Sequence, residues 1–176
     1  MRIAVLITAL LLMNGAAAAE RVPDALGMMV MLKVVSYDTA FATHGSGDFN
    51  VLIPYADGDE PKASALAAEG AKLEVKTIKE RSLKFTPVAI KDLAAAKGTA
   101  VLLHAGANAD VIKNTLQKAQ SEKLYVITFD ESAVKDGALL GVGLANGKPQ
   151  PLINVAAMRA LGADFGPVLR LARTFQ

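Results

Sequence analysis

A chain of 176 residues with 19 basic and 17 acidic side chains carries a formal charge of +2, too near balance for the concentrated basic face that nucleic acid demands. The absence of cysteine excludes disulfides, thiol catalysis and thiol redox sensing. With 52% hydrophobic residues and no low-complexity segment, the composition is that of a packed α/β chain rather than a disordered one.

The chain opens with a lone charge, Arg2, an apolar run from Ile3 to Met13, the break Asn14-Gly15, and alanines at 16–19 before Glu20. This is the pattern of a cleavable secretory signal peptide over residues 1–19, with cleavage after Ala19 and delivery to the periplasm. An anchor is the weaker reading, because the run makes roughly 16 Å of helix where a bilayer needs ~20 residues. Residues 20–176 then form a single domain with enough chain for its own core.

Val22 to Val35 reads as a first helix, with Pro23 in its opening turn. Its apolar residues cover most of the circumference, so it needs cover on nearly every side. His44 to Asp48 is a glycine-rich turn, and Phe49 to Tyr55 is a strand. Glu60 to Glu69 is an alanine-rich helix with Gly70 as its stop, and Leu73 to Ile78 alternates like an edge strand. Pro87 to Ala96 is expected as a helix, and the continuous apolar run Thr99 to Leu103 as a central strand. Asn108 can cap the next helix, whose inward stripe is Val111, Ile112, Thr115, Leu116 and Ala119. Leu124 to Phe129 is another strand. Ala138 to Leu144 and Pro151 to Asn154 flank the hairpin signal Asn146-Gly147, and helices over Val155 to Leu161 and Pro167 to Thr174 finish the chain. The alternation predicts an α/β fold: an open, mostly parallel sheet covered by helices on both faces, with a late antiparallel hairpin.

Ligands of open α/β sheets bind beyond the carboxyl ends of the strands, which singles out three loops: Ala56 to Asp59, His104 to Asn108, and Asp130 to Ser132. The candidate ligand residues are therefore Asp57, Asp59, His104, Asn108 and Asp130. His104 can act as a base or a hydrogen-bonding group, or simply be a satisfied structural histidine; the aspartates suit a site equally with a turn or cap. Gly106-Ala107-Asn108 can cradle an anion but lacks a nucleotide-binding glycine pattern. Two histidines 60 positions apart supply no zinc ligand set, and Ser46 sits in no nucleophile elbow. No catalytic constellation, cofactor site or metal site is expected. On the first helix, Met28, Met29 and Met31 are either core or an adaptable surface for a partner or a second copy.

The succession Leu124 to Asp130, Gly137 to Val142, Pro151 to Ala157 and Val168 to Ala172 resembles, in its order, the periplasmic YfiR/HmsC-like family, and Leu32 to Asp38 is similar to a segment of one of its branches. The resemblance implies a non-enzymatic regulator that restrains the periplasmic sensory domain of a membrane signalling protein, such as a diguanylate cyclase or sensor kinase. By position Asn154 matches the family's asparagine, and between a strand and a helix it suits an N-cap. A small-molecule binding protein of a transport system is the alternative, and a hydrolase built on His104 or the loop aspartates the third reading.

Overall fold

The computed structural model describes residues 21–176; the leader segment and its cleavage after Ala19 lie outside the described residues. In chain order the elements are α1 (Asp24–Ser36), β1 (Phe49–Tyr55), α2 (Glu60–Lys72), β2 (Thr77–Ile78), β3 (Arg81–Ala89), β4 (Ala100–Leu103), α3 (Ala109–Glu122), β5 (Tyr125–Thr128), α4 (Glu131–Lys135), β6 (Leu140–Ala145), β7 (Lys148–Asn154), α5 (Val155–Leu161) and β8 (Arg173–Phe175). Short 3₁₀ turns lie at Phe41–Thr43, Ile90–Asp92 and Gly166–Arg170. No helix among the described residues is long and apolar enough to cross a membrane.

The strands form one eight-stranded sheet in the order β2-β3-β1-β4-β5-β6-β7-β8. Every pairing is parallel except the two hairpins, β2–β3 and β6–β7. The chain leaves β1 to one side to make β3, then returns across it to make β4 on the other. The strand order therefore reverses between β1 and β4, and their carboxyl ends splay apart into the crevice where such sheets hold ligands.

Alternation along β1 divides the interior. Val51 and Ile53 face one core with Met28, Met31, Leu66 and Phe165, under α1, α2 and the C-terminal segment. Leu52 faces the other core with Val101, Val126, Leu93 and Val111, under α3 and α4. Each such large side chain, wholly removed from water, contributes roughly 1.5–3 kcal/mol. Because β4 has helices over both faces, all four of its residues are buried, as its unbroken apolar run predicts.

Several elements differ from expectation. Helix α2 does not stop at Gly70 but runs to Lys72; the glycine is there because a Cβ would stand 2.6 Å from the Phe85 ring. The edge strand is only Thr77–Ile78, and Pro87 lies not in a helix but in β3. Proline is tolerated there because β2 pairs β3 only at Arg81 and Ser82, so one side of Pro87 has no ladder partner to disappoint. The β2–β3 turn went unread because Lys79 and Glu80 hold its left-handed conformation, at φ 43° and 70°, without glycine or asparagine. Lys79 is held in place by donating from Nζ to the Asp38 carbonyl at 2.6 Å. The Asn146-Gly147 turn, by contrast, joins β6 and β7 with the expected positive φ at both positions. The final helix is replaced by the 3₁₀ turn and by β8, which satisfies the otherwise unpaired edge of β7.

Candidate functional site

The three loops chosen from the sequence meet at the carboxyl ends of β1, β4 and β5. Asp59 stands at the start of α2, where its carboxylate accepts from Lys62 Nζ at 2.7 Å; that bond holds Asp59 below the usual carboxylate range. Asp57 is exposed on the same loop. His104 leaves the end of β4 and is buried, with a side chain only 4% exposed. Its Nδ1 lies 3.1 Å from the Ala105 carbonyl, an arrangement that places the ring proton on Nδ1. Nε2 has no hydrogen-bond partner among the described residues and stands 3.9 Å from Asp59 Oδ2.

His104 looks into a cavity of about 240 Å³ between the first turn of α1, the outer side of α2 and the end of β5. Arg21, Asp24, Lys62 and Glu69 give its wall two charges of each sign, and Phe129 supplies an aromatic side. Across the sheet a second cavity, of about 370 Å³, is lined by Asp57, Lys91, Asn108 and Asp110. Asn108 itself caps α3, its Oδ1 accepting from the Val111 N–H at 2.9 Å. Asp130 ties the loops together, since its Oδ2 accepts from the Gly106 N–H at 2.9 Å. The amide expected to cradle an anion is therefore already used by an internal carboxylate. Of the five candidates, His104 lines one cavity with Asp59 standing 3.9 Å from its ring, Asp57 and Asn108 line the other, and Asp130 braces the loop between.

Arg21, Asp24, Lys62 and Glu69 were not foreseen. Asp24, Lys62 and Glu69 lie on helices and Arg21 just before α1, where charged residues read as ordinary solvated positions, and only the packing of α1 beside α2 gathers them around one cavity. Among the described residues no group of three or more histidine, aspartate or glutamate side chains is placed to hold a metal ion.

A second polar cluster, also unforeseen, lies at the opposite, amino ends of the strands. Tyr125 donates its hydroxyl to Asp38 Oδ2 at 2.5 Å, and Asp38 Oδ1 accepts from the N–H groups of Ala40 and Asp164 at 2.9 and 2.8 Å. His44 Nε2 stands 3.4 Å from the same carboxylate. Burial lowers the His44 pKa against the pull of Asp38, with Arg81 and Lys123 adding to the fall, while burial and then Asp38 push the Tyr125 phenol far up. Arg81 closes the cluster by donating to the carbonyls of His44, Gly47 and Asp48 and stacking over Phe41 and Phe49. Enclosed on all sides, this is a clamp joining α1, β1 and β5.

Asn154 also has a structural place. Its Oδ1 accepts from the Ala157 N–H at 2.8 Å, capping α5, and its Nδ2 donates to the Val134 carbonyl at 2.8 Å. The three methionines of α1 divide: Met28 and Met31 are wholly buried and form core rather than surface, whereas Met29 is 44% exposed.

No family model matches the chain, and no curated protein matches it. Among solved structures it is similar to the ABC domain in complex with L-Trp from Streptococcus pneumonia, with a TM-score of 0.58 and 13% identity over 88% of this chain and 60% of that one. It is also similar to a conserved domain protein from Vibrio cholerae O1 biovar El Tor, with a TM-score of 0.53 and 17% identity over 73% of this chain and 55% of that one. The chain thus spans about three-fifths of the length of these neighbours, and what it shares with them is an α/β fold with a mostly parallel, doubly wound sheet.

Proposed function

We propose that this protein is a periplasmic, non-enzymatic binding module that takes a small polar solute in the crevice at the carboxyl ends of β1, β4 and β5. The observation that carries the reading is the buried His104 Nε2, which has no hydrogen-bond partner among the described residues, in the wall of a cavity of mixed charge. A polar group entering the cavity can pair with the unpartnered Nε2, and the mixed charges of Arg21, Asp24, Lys62 and Glu69 suit a solute that carries charge of both signs, of the size of an amino acid. The L-Trp bound to the similar Streptococcus domain supports the same solute class. Calorimetric titration with a panel of amino acids, amines and polyols tests the reading. One class should saturate, and His104→Ala should weaken it at least tenfold while the variant still melts cooperatively. Absence of binding up to millimolar concentrations, or unchanged affinity in the variant, refutes it.

A second reading is a regulator similar to the YfiR/HmsC-like proteins, acting by contact with a membrane-bound sensor or cyclase domain. The exposed outer side of α1, centred on Met29, favours it.

A further inference from the structure

Helix α1 has two apolar stripes. Met28, Met31, Leu32 and Val35 enter the core, while Leu26, Met29, Val30, Lys33 and Tyr37, spaced i, i+3, i+4, i+7 and i+11, share the opposite side. The described residues include five exposed large hydrophobic side chains: Leu26, Met29, Tyr37, Val75 and Leu171. All five line a single groove of about 750 Å³, which runs along α1 between the segment before β2, the tip of the β6–β7 hairpin with Pro149 and Pro151, and the turn before β8. Scattered surface hydrophobics need no explanation; their gathering in one groove does.

The charges of the groove identify what it fits. Lys33 and Lys148 are its charged lining residues, with no aspartate or glutamate among them. A two-fold contact with another copy would bring the lysines of both onto one apolar face with no carboxylate to meet them. We infer that the groove is a docking site for an apolar segment of a partner protein flanked by acidic residues. The stripe from Leu26 to Tyr37 spans about 16 Å, matching three turns of an amphipathic helix laid into it. The inference deepens the regulator reading and rests on it, and the groove shares no residue with the solute crevice.

Fluorescence anisotropy tests it with labelled 14-residue amphipathic peptides, leucine on one face and either glutamate or lysine on the flanks, alongside anionic lipid vesicles. The glutamate peptide should bind at least tenfold more tightly than the lysine peptide. Met29→Glu should abolish binding, and the double variant Lys33→Glu, Lys148→Glu should reverse the preference, with melting temperatures near wild type. Equal affinity for both peptides, binding insensitive to these variants, preference for vesicles, or a wild type that dimerises through this face overturns the inference. Because the assay contains no sensor domain, its failure concerns the groove alone. Failure of a Met29-directed crosslinker to capture an inner-membrane protein in cells, with peptide binding intact, instead defeats the regulator reading.

Discussion

Replacing Tyr125 with phenylalanine removes one oxygen from the centre of the clamp and changes almost nothing in volume. That hydroxyl is the short donor to Asp38 Oδ2, whose remaining neighbour is His44 Nε2 at 3.4 Å. Asp38 is wholly buried, so the abandoned oxygen cannot turn to water. Hydrogen bonds to charged groups contribute about 1.5–3 kcal/mol, and an unsatisfied buried acceptor adds the cost of its lost hydration, so the variant should lose stability at or above the lower figure. For a domain of this size that lowers the melting temperature by roughly 3–12 °C. The loss should depend on pH: a proton taken up by the neighbouring imidazole, which burial disfavours, would let it donate to the orphaned oxygen, so the difference from wild type should narrow toward acid. Urea unfolding of both proteins at pH 8 and pH 5.5 measures this. A loss under 0.5 kcal/mol at pH 8 would show that the Tyr125–Asp38 bond does not hold the clamp together, and one that does not shrink in acid that His44 takes no part.

His44 sets a second expectation. Its folded pKa is depressed, chiefly by burial, so between that value and 6.5 the unfolded chain binds more protons than the native one. Stability should therefore fall as pH drops below about 6.5, and His44→Gln should flatten the curve in that window; denaturation midpoints that stay parallel to wild type across it refute the assignment. Asn154→Ala removes both the α5 cap and the donor to the buried Val134 carbonyl, and should cost about 2–3 kcal/mol in chemical denaturation. A cost near that of an exposed cap alone, under about 1 kcal/mol, would mean the Val134 bond contributes nothing.

What the chain dictates by itself is whatever short-range chemistry decides. The apolar run at 100–103 announces a strand buried on both faces, Asn146-Gly147 can adopt its paired left-handed turn almost unaided, and Asn108 and Asn154 cap the helices that follow them. Even β3 was written locally, since Leu83 and Phe85 alternate with Ser82, Lys84 and Thr86, but Pro87 disguised it as the start of a helix. The loops of the candidate site were legible for the same reason: parallel strands fix in advance which ends carry ligands. Tertiary structure decided the rest. Asp38 and Tyr125 are 87 positions apart and nothing near either foretells the other. In α1, where apolar residues surround the axis, periodicity cannot say which methionine faces inward; packing against the sheet buries Met28 and Met31 and leaves Met29 to solvent. Which cavity His104 enters, and that its Nε2 has no partner there, follows from α2 lying beside the β4–α3 loop, a contact between segments more than 30 residues apart that no window of the sequence contains.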